Sequence, residues 1–163
     1  MLRSILKWLR LSEAIVATAA YAVVAIFLMV DVIGRELFST AILGTQQLAI
    51  YGAIIAGFLG LSLATSDNAH LRPEFLDFLG RGFERAVIRS GDFVSAAFFF
   101  GCAFVALKFV SISMEAGDRA PVLYFTLWPL QLVLPYAFAS SGLKHLIFAL
   151  DPGSKPLSTG LGG

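Results

Sequence analysis

Four long apolar segments divide the chain: Ala14–Val30, Leu48–Ala64, Phe93–Met114 and Val122–Leu143. A helix that crosses a bilayer needs about 20 mostly apolar residues, within a range of about 17–25. Each segment reaches this length once its flanking residues are included. The pattern therefore predicts an all-α integral membrane protein with four transmembrane helices, at about residues 12–31, 46–66, 92–114 and 121–146. We expect residues 1–150 to form one membrane domain and residues 151–163, with two Pro and four Gly, to form a flexible tail.

The composition agrees with this pattern and excludes several classes of function. Hydrophobic residues make up 58% of the 163 residues and charged residues only 14%, against about 45–50% and 25% in soluble domains. The charges are too few and too scattered for a nucleic-acid-binding face. The single cysteine, Cys102, and the two histidines, His70 and His145, have no ligand cluster around them. We therefore predict no metal site, no cofactor and no catalytic residues.

The distribution of basic residues predicts the orientation of the chain. If the N-terminus is cytoplasmic, nine basic residues fall on the inner side: Arg3, Lys7, Arg10, Arg72, Arg81, Arg85, Arg89, Lys144 and Lys155. Only Arg35 and Arg119 then fall outside, and Lys108 lies within a span. This bias follows the positive-inside rule and places both termini in the cytoplasm.

The loop between spans two and three has an amphipathic pattern. Over residues 73–89, Phe75, Leu79 and Phe83 share one helical face, while Arg81 and Arg85 lie on the opposite face. A helix with such a pattern between two spans is typical of the membrane interface. The alternative is a soluble hairpin folded on itself, but this short segment could hardly cover its apolar face.

Small residues recur at four-residue spacing in span two. Ala49, Ala53 and Gly57 lie on one face, and Gly60 belongs to a second. Small residues let helix backbones approach closely in lipid. The stripe is consistent with docking onto a partner subunit or with packing inside this chain, and the sequence does not decide between them.

Two further groups of charged residues have open interpretations. Lys108 is the only charge well inside a span; its side chain can extend to the membrane surface, or it can serve a transport or proton relay. Asp31 and Arg35 are four residues apart at the outer end of span one. They can form a surface ion pair or present a charged patch to a partner.

Several local motifs resemble a known family. These are Gly34-Arg35-Glu36-Leu37-Phe38, Thr45-Gln46-Gln47-Leu48, Phe58-Leu59-Gly60 and Asn68-Ala69-His70-Leu71-Arg72-Pro73-Glu74-Phe75-Leu76. Together with the length and span count, they resemble the small membrane subunit, the DctQ-like subunit, of tripartite ATP-independent periplasmic (TRAP) transporters. The chain departs from the family at residues 44–47, where the family often has Trp and two acids.

The resemblance implies a function. Such transporters import organic acids with a sodium gradient and a periplasmic substrate-binding protein, and their large membrane subunit holds the substrate and sodium sites. The small subunit is implied to be a non-catalytic brace in the bacterial inner membrane that also helps to dock the binding protein. Arg35, Glu36, Gln46 and Gln47 are the candidate docking residues, and Ala49, Ala53, Gly57 and Gly60 are the candidates for packing on the large subunit.

Two other classes of function remain alternatives. A small membrane enzyme would need clustered ionisable residues at a pocket within the membrane, where the sequence pattern offers only Lys108. An autonomous four-helix channel or exporter would transport when reconstituted alone.

Overall fold

The computed structural model describes residues 2–40, 42–66 and 84–151. These residues form five helices: α1 (Leu2–Phe38), α2 (Thr45–Ser66), α3 (Glu84–Ala116), α4 (Trp128–Gln131) and α5 (Val133–Leu150). Four helical segments are long and apolar enough to cross a membrane, with α4 and α5 together supplying the fourth. The prediction of an all-α membrane protein with four spans is thus confirmed.

The helices α1 and α3 are longer than the spans predicted within them. The 37 residues of α1 extend over about 55 Å, whereas the hydrocarbon core of a bilayer is about 30 Å thick. Residues 84–89, expected to end the interfacial helix, instead begin α3, with Arg85 in its first turn. Phe75, Leu79, Arg81 and Phe83 lie outside the described residues, so the interfacial helix stays a prediction.

The fourth span begins later than predicted. Residues 121–127 form a loop, and the helical segment starts at Trp128 rather than at residue 121. The segment is interrupted between Gln131 and Val133. Proline lacks the N–H that would bond to the carbonyl four residues earlier, and its ring crowds that carbonyl. The carbonyl four residues before Pro135 is that of Gln131, so Pro135 accounts for the break in the helix at this position.

The helices pack in the order α1, α2, α5, α3. The helix α1 lies mainly on α2, and α3 lies on α5, while α2 and α5 contact each other. Two glycines mark close approaches: a Cβ added at Gly52 would lie 2.7 Å from Val24 Cγ2, and one at Gly142 would lie 3.3 Å from the Phe100 ring. The outward faces of α1 and α3 carry large exposed apolar side chains, which suit contact with lipid or a partner.

The two ends of this helix layer differ in their connections. We name them the Glu13 end, where α1 begins and α2 ends, and the Arg35 end, where α1 ends and α2 begins. At the Arg35 end, residues 117–127 form a loop closed by an antiparallel bridge between Arg119 and Thr126. Leu123 of this loop packs on Gly44, whose φ of +94° favours glycine.

Candidate functional site

A buried polar cluster joins three helices at the Glu13 end. It consists of Glu13 on α1, Ser62 on α2, and Ser140 and Lys144 on α5, and we call it the Glu13 cluster. Lys144 Nζ lies 2.5 Å from Glu13 Oε2. The hydroxyls of Ser62 and Ser140 donate to Glu13 Oε1 over 2.9 and 2.5 Å. Glu13 is 1% exposed and Lys144 is fully buried, so the charges are shielded from solvent.

The hydrogen bonds of the Glu13 cluster are nearly saturated. Besides Glu13, the Lys144 ammonium donates to the Ser62 carbonyl over 2.7 Å and to the Ser62 hydroxyl over 2.9 Å. Three partners match the three protons of a lysine ammonium. Burying two charges costs desolvation free energy, which is offset only when the pair is close and its remaining hydrogen-bonding groups are satisfied. The geometry meets both conditions, so the Glu13 cluster can stabilise the packing of α1, α2 and α5.

A second polar contact connects α3 to the same end. His145, the residue after Lys144, has its Nδ1 3.2 Å from Asp92 Oδ1 on α3. The imidazole also stacks on Phe99, with ring centroids 5.5 Å apart and an interplanar angle of 11°. Consecutive residues of α5 thus contact α1 and α2 on one side and α3 on the other. The polar contacts at the Glu13 end link all four membrane-spanning segments.

The polar residues at the Arg35 end are arranged differently. Arg35 Nη2 lies 2.6 Å from Asp31 Oδ2 one turn earlier on α1, and the Arg35 side chain is 49% exposed. The Thr45 hydroxyl donates to the Ile42 carbonyl over 2.8 Å and lies 3.3 Å from Asp31 Oδ1, which places the start of α2 against Asp31. The ion pair, one of the two interpretations left open by the sequence, is therefore present, with Asp31 buried rather than at the surface. Of the other candidate docking residues, Glu36 and Gln46 are exposed and Gln47 is half-buried.

The structure divides the small residues of α2 between two surroundings. Ala49 is buried inside this chain. Ala53 and Gly57 are exposed, and a Cβ added at Gly57 or Gly60 would meet nothing within 4 Å. The glycine that receives a neighbouring helix is Gly52, which the sequence analysis did not single out. Ala49 thus belongs to the internal packing, whereas Ala53, Gly57 and Gly60 leave room for another helix.

Lys108 stands apart from the buried polar groups. Its side chain is exposed on α3, with Nζ 4.9 Å from the centroid of the Phe104 ring. A cation over an aromatic face is stabilised electrostatically. In the described part of the chain, no group of three or more His, Cys, Asp or Glu residues is placed to hold a metal ion.

A comparison with known protein families identifies the family to which the chain belongs. The family model of the DctQ component of tripartite ATP-independent periplasmic transporters matches residues 24–151, which is most of the chain. The chain belongs to the DctQ family. It is therefore a small membrane-spanning component of a tripartite transporter. No curated protein and no solved structure gives a significant match.

The DctQ match includes three of the four members of the Glu13 cluster. Ser62, Ser140 and Lys144 lie within the matched residues, and Glu13 precedes them. From the sequence, Lys144 is only one of the basic residues expected on the cytoplasmic side, and no local motif singles out Glu13 as its partner. A weak signal was available, because Ser140 and Lys144 are four residues apart and so share a helical face. The separation of 131 residues between Glu13 and Lys144 left their pairing undetermined.

Proposed function

We propose that this DctQ-family chain is the non-catalytic small permease subunit of a sodium-driven, binding-protein-dependent importer of organic acids. The driving ion and solute class follow from the resemblance of the chain to TRAP small subunits. The observation that supports the structural role is that the buried charges bind each other and so connect two helices. Glu13 and Lys144 bond each other between α1 and α5, while the outward faces of α1 and α3 are apolar. This arrangement suits a rigid brace in the membrane.

The partner that this brace supports is the large membrane subunit. Ala53, Gly57 and Gly60 on α2 are the candidate contacts, because the space beside them is open. Small residues permit close helix approach, which favours association in lipid through van der Waals contact. Docking through this surface would leave the internal contact at Gly52 untouched.

Two glycine variants distinguish partner contact from internal packing. In Gly57→Leu, the added side chain enters open space, so we expect unchanged stability of the chain alone but weaker co-purification of the large subunit. In Gly52→Leu, the side chain meets Val24 at once, and overpacking of this kind costs about 1–3 kcal/mol. Unchanged co-purification with Gly57→Leu would show that the large subunit binds elsewhere.

Reconstitution tests the transport role itself. We expect solute uptake into proteoliposomes to require the large subunit, the binding protein and this chain together. The alternative of an autonomous channel or exporter predicts transport by this chain alone. If the chain is instead a membrane enzyme, neither the chain alone nor the three components together should transport the solute.

We also propose that the Glu13 end faces the cytoplasm of a bacterial inner membrane, as the basic residues indicate. Ser4 and Thr40 are exposed near opposite ends of α1 and form a matched pair for thiol labelling. In a Cys102→Ala background, an impermeant reagent added to intact cells should label Thr40→Cys and spare Ser4→Cys. The reverse pattern would invert the topology.

A further inference from the structure

The outward face of α3 carries a lysine inside the apolar segment of the helix. Lys108 is exposed, whereas Ala106 and Val110 are buried on the opposite side of α3. Its neighbours on the outward face include Phe104 and Ile112, which are large, apolar and exposed. Charged residues within membrane spans are costly, and they usually pair with an opposite charge or face a water-filled cavity. The apolar neighbours of Lys108 do not form such a cavity, so its charge requires an anionic partner.

The depth and direction of the Lys108 side chain exclude a lipid phosphate as that partner. Lys108 lies about 8 Å from the midpoint of the span Arg89–Ala116, and the hydrocarbon core extends about 15 Å to each side of its middle. Nζ lies 4.9 Å from the centroid of the Phe104 ring, which belongs to the turn nearer to that midpoint. An extended lysine side chain spans only about 6 Å from Cα to Nζ, with bonds of about 1.5 Å. A phosphate outside the core is therefore beyond its reach.

The described residues supply no carboxylate to Lys108. The buried carboxylates of Glu13, Asp31 and Asp92 are bound to other basic residues. Glu115 shares the outward face of α3, but it is seven residues, or about 10 Å, farther along the helix. The aromatic ring below Lys108 attracts the cation without neutralising it. The missing anion must therefore come from a molecule that reaches this depth of the membrane.

The same face of α3 gives a second helix room to approach. Ala97, Gly101, Phe104 and Lys108 follow one another at spacings of three or four residues, which keeps them on one helical face. Ala97 and Gly101 are exposed, and a Cβ added at Gly101 would meet nothing within 4 Å. Small residues allow helix backbones to approach closely in lipid. A helix seated there can present a carboxylate to Lys108, whereas a lipid acyl chain carries no charge.

We infer that Lys108 forms an ion pair between subunits, with an aspartate or glutamate on a membrane helix of the large subunit. That helix packs along Ala97, Gly101 and Lys108 of α3, apart from the contact proposed on α2. An ion pair within hydrocarbon fixes the depth of one helix against the other, because sliding would separate the two charges. The brace would thus hold the large subunit at a defined depth. The inference rests on the proposed function, since it requires a large subunit as the partner.

Removing the charge of Lys108 tests this inference, because the two surroundings predict opposite results. If the partner carboxylate loses its cation in Lys108→Met, the purified complex should dissociate at a concentration about 100-fold higher or more. Lys7→Met is the matched control, because Lys7 is exposed near the start of α1, outside the apolar segment, and it should leave dissociation unchanged. A lysine that faces only lipid would give a complex at least as stable in Lys108→Met as in the unmodified chain, which would overturn the proposal.

Chemical cross-linking identifies the partner without a variant that could misfold. An apolar carbodiimide joins a carboxylate and an amine in contact: an amide bond forms, and the carbodiimide takes up the released water and becomes a urea. In the unmodified complex we expect a product that joins Lys108 to an aspartate or glutamate of the large subunit, identified by peptide mass spectrometry and absent in Lys108→Met. An intact complex without this product, or a product joining two copies of this chain, would contradict the ion pair. If the unmodified chain binds no large subunit at all, the proposed function fails, and the ion pair with it.

Discussion

The helix α1 carries one buried carboxylate near each surface of the membrane, and the two sites use the same kinds of partner. Glu13 and Asp31 are 18 residues apart in the sequence, which corresponds to about 27 Å along a helix. The hydrocarbon core is about 30 Å thick. Glu13 binds Lys144 and the hydroxyl of Ser62. Asp31 also has a cation and a hydroxyl beside it, those of Arg35 and Thr45, although the Thr45 hydroxyl has a closer acceptor in the Ile42 carbonyl.

The partners differ in where they come from and in their access to solvent. Lys144 is fully buried and belongs to α5, whereas Arg35 lies on α1 itself and keeps half of its side chain exposed. At the Glu13 end, a group that loses its partner has no water to replace it. At the Arg35 end, solvent screens the charges and competes for the guanidinium. We therefore expect the Glu13 cluster to determine the stability of the chain and the Arg35 end to be available for a partner.

The largest expected effect is that of removing one partner of the buried pair. Lys144→Met leaves the Glu13 carboxylate buried without its cation, and such a loss typically costs about 3–5 kcal/mol. The measurement is the free energy of unfolding of the purified chain in detergent. The double variant Glu13→Leu/Lys144→Met removes both charges and should recover part of the loss, because an apolar pair of similar size has no charge to desolvate. The recovery is incomplete because the hydroxyls of Ser62 and Ser140 lose their acceptor on Glu13. Stability of Lys144→Met equal to that of the unmodified chain would remove the distinction between the two ends.

The contrast between the two carboxylates also explains what the sequence was able to predict. The contact between Asp31 and Arg35 follows from their four-residue spacing, because such residues are neighbours on a helix. The four spans follow from their length and apolar content. Neither argument applies to Glu13 and Lys144, since their contact depends on which helices are neighbours and on their rotation. Helix order and rotation in lipid depend on close packing at sites such as Gly52 and Gly142.

Of the two lysines in or near the spans, Lys108 and Lys144, the sequence pattern singles out the one that is not part of the buried cluster. Lys108 stood out because apolar residues surround it on both sides, yet its side chain is exposed and lies over Phe104. Lys144 lies near the predicted end of span four, so the pattern assigns it to the cytoplasmic cations. Its burial depends on Glu13 from the other end of the sequence, and no local pattern contains that information.

A smaller effect should distinguish two neighbouring serines of the Glu13 end. Ser140 donates to Glu13, and a hydrogen bond to a charged group typically contributes about 1.5–3 kcal/mol. Ser140→Ala should lower the free energy of unfolding by that amount. Ser141 is the matched control, because its hydroxyl is buried and forms no hydrogen bond among the described residues. Ser141→Ala should be nearly neutral, and equal losses from both variants would mean that the Glu13 contact contributes nothing specific.

The smallest expected effect on stability is at the Arg35 end. Arg35→Gln removes an ion pair between residues four apart on one helix, with the arginine half-exposed. Pairs of this kind contribute about 0–1 kcal/mol. The variant should therefore unfold nearly like the unmodified chain. A loss comparable to that of Lys144→Met would show that Asp31, although buried, depends on its cation as strongly as Glu13 does.

The effect of Arg35→Gln should instead be on transport, if this end docks the binding protein. Charges at the edge of an interface act mainly on the association rate, and salt screens them. If the binding protein presents an acidic surface here, Arg35→Gln should slow uptake at limiting binding protein, whereas Glu36→Gln, at the next exposed position, should accelerate it. Both differences should narrow as ionic strength rises, because screening weakens the same interactions in the unmodified chain. Uptake by the reconstituted transporter, with binding protein titrated at two salt concentrations, measures this. Equal changes of the same sign in both variants, independent of salt, would place docking elsewhere and leave Arg35 only its local contact with Asp31.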